Sequence, residues 1–296
     1  MHRFTLPAAP FKLTAEMQTF FLAVNQLNSG DGYSLSDPSK RLMFATLNLK
    51  AGRRAIDLCD YNSALKLLES GMNLLPDDHW KSEYDLSLQL YRVGVDTACA
   101  LNNAVAVTKL SQEILTNVEA PLEKLHAMFC VMKCLRTARK IQESQQLSYS
   151  ILQQLGERLP RERGDSDLLA EIDSMRTKIL NMPDYSIFNM RESTRKEKDM
   201  LLLGLYSNLI VVMNDQNPKK MDDICLRMME ITVVNGLCAR SPLSAALFAL
   251  ILVSRGDIDL AYRLGKLALR LTEKANGQRF LSEVAFFVGG CVSWVS

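Results

Sequence analysis

His126, Cys130 and Cys134 follow one another at four-residue intervals within a run of helical pattern, so one helix face carries an imidazole and two thiols. Nitrogen and sulfur donors in that array suit zinc, which closes a structural site with four ligands. No fourth ligand stands beside them in the sequence, and the thiols are not Cys-x-x-Cys pairs in loops. Free cysteine is among the most buried side chains. The two thiols are read as core packing, and neither a metal nor a cofactor is expected. The seven cysteines (Cys59, Cys99, Cys130, Cys134, Cys225, Cys238, Cys291) are odd in number and sit mostly in helical runs, unlike a secreted disulfide framework.

Nucleophilic catalysis needs a nucleophile, a base and a group that orients the base. The chain has three histidines: His2, His79 and His126. His79 follows Pro76-Asp77-Asp78 and reads as a helix start, with the two acids capping the first turn. There is no Gly-x-x-x-x-Gly-Lys-Ser/Thr phosphate loop, and no kinase glycine loop followed by His-Arg-Asp and Asp-Phe-Gly. No catalytic residue is assigned, and the chain is expected not to be an enzyme. Arg158, Arg161 and Arg163 form one basic cluster, and Arg191, Arg195, Lys196 and Lys198 another. Interleaved Glu157, Glu162, Glu192 and Glu197 make both read as solvated charge. With 35 basic and 33 acidic residues the net charge is +2, so the field of a bulk nucleic-acid binder is missing. Met221, Met228 and Met229 read as core filling.

The elements that position these residues are helices. Windows starting at Asp60, Asn103, Lys140 and Asp257 share one pattern: an apolar residue, a small or β-branched one three on, then leucine (Leu67, Leu110, Leu147, Leu264). The first three lie about 40 residues apart, the period of stacked helix pairs. Helices are expected at Leu13–Leu27, Pro38–Leu58 under an Asp37 cap, Tyr61–Leu75, Trp80–Leu101, Asn103–Asn117, Leu122–Arg139, Gln142–Gly156 and Ser166–Asn181. Beyond Pro183 come Arg195–Met213, a helix ending at Asn235-Gly236, Pro242–Ser254, Asp257–Ala275 and a last run from Arg279. The expected fold is all-α: an α-solenoid of stacked antiparallel helix pairs, about thirteen helices in all. Its parts are an array over 1–181, a loop over 182–193 and further pairs over 194–296, continuous with the first. In Trp80–Leu101 two apolar stripes leave only Asp85, Gln89, Arg92 and Asp96 as a polar one, so this helix needs neighbours on two sides. Close helix approach is expected at Gly52, Gly71 and Gly265. The longest apolar run, Leu243 to Val253, is too short to span a bilayer.

Tyr61-x-x-Ala64…Leu74-x-Pro76 and Gly256-Asp257-Ile258-x-x-Ala261 resemble the second helix of a tetratricopeptide repeat. Longer strings (Ala23 to Asn28, Leu47 to Arg53, Leu74 to Trp80, Tyr84 to Tyr91, Gly265 to Leu269) together resemble the helical-repeat region of large multidomain signalling AAA-type ATPases. In that family serine/threonine kinase-like and ATPase domains precede the repeats, and histidine kinase domains often follow. The resemblance runs from about Ala23 to Trp294, strongest between Leu47 and Pro160. It implies a regulatory or scaffolding segment of signal transduction; the family's ATPase is not carried over, and the chain is expected to be a fragment or a shortened relative.

The expected work is partner binding. The stripe Asp85, Gln89, Arg92, Asp96 and its neighbour His126, Lys133, Thr137 would line the concave face of the array. The reading is a cytoplasmic, non-enzymatic scaffold for protein–protein or interdomain contacts, binding a protein, a peptide or flanking domains, with no membrane association and nucleic acid disfavoured. The alternative is a fragment of an ATP-dependent kinase or ATPase whose catalytic domains lie outside this chain.

Overall fold

Each recurring window begins where the chain turns back on itself. In the computed structural model, which describes residues 15–29, 37–160, 165–213 and 218–293, the residue before each window has left-handed backbone: Cys59 (φ 61°), Asn102 (φ 54°), Arg139 (φ 59°) and Gly256 (φ 80°). One such residue lets the outgoing helix close its last carbonyls. Cys59 N–H donates to Ile56 O and Asp60 N–H to Ala55 O, and Asn102, Asn103, Gly256 and Asp257 repeat the arrangement. The next residue then caps the following helix. Side chains of Asp60, Asn103 and Asp257 accept from the N–H groups of Ser63, Ala106 and Leu260.

The described residues form fifteen α-helices, two of them single turns, and no strand beyond one isolated bridge between Glu192 and Leu237. They fall into two compact units, Met1–Arg139 and Lys140–Ser296. The first holds α1 (Ala15–Ser29), α2 (Pro38–Asp57), α3 (Tyr61–Asn73), α4 (His79–Ser82), α5 (Tyr84–Ala100), α6 (Ala104–Asn117) and α7 (Pro121–Thr137). The pairs α2/α3 and α5/α6 stack in order: α3 packs on α5, α6 on α7, α2 on α5 and α5 on α7. That is the expected solenoid arrangement. Asp37 caps α2 through Ser39 N–H, with Pro38 at the first helical position.

α5 does have neighbours on two sides. Leu90 enters a cluster with Ala45, Leu49, Leu68 and Leu75, while Val95 and Ala98 join Val107, Leu110 and Ala127. Two glycines make the stack tight. A Cβ on Gly52 would lie 2.8 Å from Leu68 Cγ, and one on Gly71 would lie 2.9 Å from Leu90 Cδ2 and 3.1 Å from Asn48 Cβ. Gly265 differs from expectation: its nearest neighbour, Val288 Cγ1, stands at 3.4 Å, ordinary contact that does not demand glycine.

The Trp80–Leu101 helix is broken. Glu83 leaves the helical region (φ −133°), separating α4 from α5. The break turns the His79 and Trp80 rings onto Tyr91, His79 stacking at 5.7 Å and 6°. The expected double-acid cap is not formed. Asp78 makes no side-chain bond to the α4 backbone, and its Oδ1 accepts instead from Ser82 Oγ at 3.3 Å.

The second unit holds α8 (Ile141–Gln154), α9 (Asp165–Leu180), α10 (Asp184–Phe188), α11 (Lys196–Met213), α12 (Pro218–Asn235), α13 (Ser241–Ser254), α14 (Ile258–Lys274) and α15 (Leu281–Ser293). The single turn α10 occupies part of the segment expected as a loop. α13 packs on α12, α14 and α15, and residues from Ser241 to Ala249 are all buried, so its apolar run is the centre of this unit. No helix among the described residues is long and apolar enough to cross a membrane. Met228 and Met229 are core residues, as expected.

Replacing Gly71 by leucine drives a side chain into α2 and α5, and we expect a loss of about 1–3 kcal/mol in urea unfolding through overpacking. An unchanged midpoint would contradict this seam. Burial, outweighing attraction from Glu113 and Asp78, holds the His79 pKa below its ordinary 6.5. The unfolded chain therefore takes up that proton first, and folded stability falls as pH drops below about 6.5. His79→Gln should flatten this part of the profile of melting temperature against pH.

Candidate functional site

α2, α5 and α7 lie side by side, and their side chains pair across the seams in a fixed order. Arg53 Nη2 donates to Gln89 Oε1 (3.0 Å), and Arg92 Nη1 meets Glu123 Oε1 (2.7 Å). His126 Nε2 bonds Asp96 Oδ1 (2.8 Å), and Cys99 Sγ faces Cys130 O (3.9 Å). Residue numbers rise together along α5 and α7, so the two helices run parallel and in register. One stripe of α5 meets one stripe of α7.

This places each residue named from the sequence. Gln89, Arg92, Asp96 and His126 take part in the cross-helix pairs. Asp85 is exposed and lines an open groove of about 700 Å³ against α2, where Leu42 and the half-exposed Met43 form an apolar floor beside Lys50 and Arg53. Lys133 lies 5.8 Å over the Phe129 ring, and exposed Thr137 donates to Lys133 O at 3.1 Å. Arg53, Cys99 and Glu123 were missed. Stepping the α5 stripe three residues past Asp96 reaches Cys99, and stepping the α7 stripe three before His126 reaches Glu123, so the helical period itself would have found both.

The electrostatics favour charged groups where they pair. Burial raises the Asp96 carboxyl, but the His126 hydrogen bond and charge, the Cys130 thiol and Arg92 outweigh it, leaving the pKa below the carboxylate range. Cys99 and Cys130 titrate as a pair. Contact with the Cys130 thiol draws Cys99 down, and the same contact, burial and Asp96 push Cys130 up. Behind them, burial first and then Cys99 raise Cys134 to about 11.

The basic clusters divide. Arg158 is not solvated charge: it meets Asp223 (3.3 Å), Glu230 (3.6 Å) and Glu171 (3.9 Å), and its carbonyl accepts from Tyr206. Arg227 joins this network through Glu157 (2.8 Å) and Glu230 (3.1 Å). Arg161 and Arg163 lie outside the described residues. In the second cluster Arg195 and Lys196 are exposed and pair with Asp199 and Glu192, and Lys198 donates to Leu155 O.

Compared with protein-family models, curated proteins and solved structures, the chain matches none. The resemblance to signalling ATPases therefore rests on the residue strings quoted above.

The Arg92–Glu123 pair ties α5 to α7 with the glutamate only 15% exposed. A double-mutant cycle of Arg92→Ala and Glu123→Ala should return a coupling of about 0.5–1 kcal/mol in urea unfolding. Strict additivity would show that the pair does not join the two helices energetically.

Proposed function

We propose that this chain is a non-enzymatic interaction module of intracellular signal transduction, acting in the cytoplasm and holding a protein segment along the face made by α2, α5 and α7. The observation that carries this reading is the polar strip across three stacked helices, in register between α5 and α7 and ending in the groove between α2 and the start of α5. Its floor of Leu42 and Met43 suits an apolar side chain. The flanking Lys50, Arg53 and Asp85 suit a segment that carries charges of both signs. Stacked repeats commonly use such faces, because many modest contacts spread along an extended segment add up.

The quoted resemblance adds that the segment belongs to a signalling partner or to flanking domains of kinase or ATPase type. In that reading the module positions another domain's chemistry and contributes none of its own. Asp85, Gln89 and Lys133 are the side chains to alter, since they sit on the strip without being core residues.

The chain should capture the same partner from lysate of its native cell in repeated purifications. The variant Asp85→Lys/Gln89→Ala/Lys133→Glu should lose that partner while keeping its melting temperature. Equal recovery by the variant would move the interface elsewhere. ATP with magnesium should leave the melting temperature unshifted, and a saturable upward shift would favour the enzyme-fragment alternative.

A further inference from the structure

Asp96, His126 and Cys130 bring an oxygen, a nitrogen and a sulfur donor within 4.8 Å of one another. They come from two helices: Asp96 from α5, and His126 and Cys130 one turn apart on α7. The geometry points to a binding site for a first-row divalent transition cation, best matched by Zn²⁺, with three protein ligands and a fourth position left to water.

The distances fit the chemistry. Zinc bonds of roughly 2.0–2.3 Å in a tetrahedron set donor atoms about 3.3–3.5 Å apart. Cys130 Sγ already stands 3.6 Å from Asp96 Oδ1, and His126 Nε2 stands 2.8 Å from the same oxygen. Opening the His–Asp pair by about half an ångström makes room for the ion. Spacing four residues apart on a helix aims His126 and Cys130 at one point, and parallel α5 supplies the third donor.

Burial is graded in the way an open site requires. Cys130 is 3% exposed and forms the floor, whereas the side chains of His126 (29%) and Asp96 (50%) form the rim. Water or a partner's side chain therefore reaches the fourth position from the solvent side. On binding, the Cys130 proton leaves to solvent, His126 offers its Nε2 lone pair, and the carboxylate and thiolate together offset the divalent charge. Arg92 and Lys133 lie close enough to oppose the cation, but Arg92 is already held by Glu123.

The sequence alone suggested only half of this arrangement. His126, Cys130 and Cys134 were visible on one helix face and set aside for want of a fourth ligand. Asp96 joins His126 and Cys130 from thirty residues upstream, Cys134 takes no part, and the fourth position is left to water. The site does not depend on the proposed partner binding.

Cobalt titration of the reduced full chain tests it, since Co²⁺ replaces Zn²⁺ and reports its ligands. One equivalent should give a thiolate-to-cobalt charge-transfer band together with the intense visible bands of four-coordinate Co²⁺. Competing Zn²⁺ should remove both. Cys130→Ser should lose the charge-transfer band, while Asp96→Ala and His126→Ala should each weaken binding about ten-fold or more. Cys59→Ser and Cys134→Ser should leave the spectrum intact. The exposed rim makes Asp96→Ala and His126→Ala the deciding variants if Cys130→Ser fails to fold by circular dichroism. A folded wild type without the thiolate band would overturn the site. So would a band that survives both rim variants, or one lost with Cys59, which would mark adventitious binding to an exposed thiol.

Discussion

Everything in the first unit depends on how sharply the chain reverses. A single left-handed residue, Cys59 after α2 and Asn102 after α5, closes one helix, and the very next residue caps the following one. No slack remains in which the pair could splay apart. Two successive reversals, the left-handed one at Asn102 and the extended one through Val118 and Ala120, return α7 to the direction of α5. Only then can residues at matching heights on α5 and α7 meet. Asparagine tolerates left-handed backbone and cysteine much less so. Cys59 therefore holds a conformation its residue type rarely adopts.

The parallel register converts two ordinary helix stripes into a ladder of specific pairs. Charge meets charge at Arg92 and Glu123, imidazole meets carboxylate at His126 and Asp96, and sulfur meets carbonyl one turn further on. Such pairs sit at the border of core and solvent, where each contributes modestly to stability. Their larger effect is on alignment. Sliding α7 by one residue along α5 would set unlike partners opposite each other along the whole seam.

Helix positions were legible because they are encoded locally. The Asp37-Pro38 start, the capping side chains of Asp60, Asn103 and Asp257, and the two apolar stripes of α5 all appear in the sequence within a few residues of where they act. The features that escaped depend on residues far apart. Glu83 breaks the helix where the rings at His79 and Trp80 meet Tyr91 seven residues beyond Tyr84, a contact no local propensity records. Arg158 reads as a loop cation until Asp223 and Glu230 are brought to it. The polar stripes themselves were visible, yet their extensions to Cys99 and Glu123 were passed over. A cysteine in a helix reads as core, and a glutamate in a first turn reads as complementing the helix dipole.

The two asparagines that join α1 to α2 have a consequence of their own. Asn28 and Asn48 exchange amide hydrogen bonds at 2.8 and 2.9 Å, and Asn48 is 1% exposed. Leucines at both positions would hold α1 by contact alone and would accept several neighbouring offsets. The amides accept one, since a shift along the axis or a rotation breaks the exchange with Asn28 and leaves buried Asn48 only its Nδ2 bond to Phe44 O. The pair thus works as an indexing pin, trading some adhesive strength for a single seating of the terminal helix.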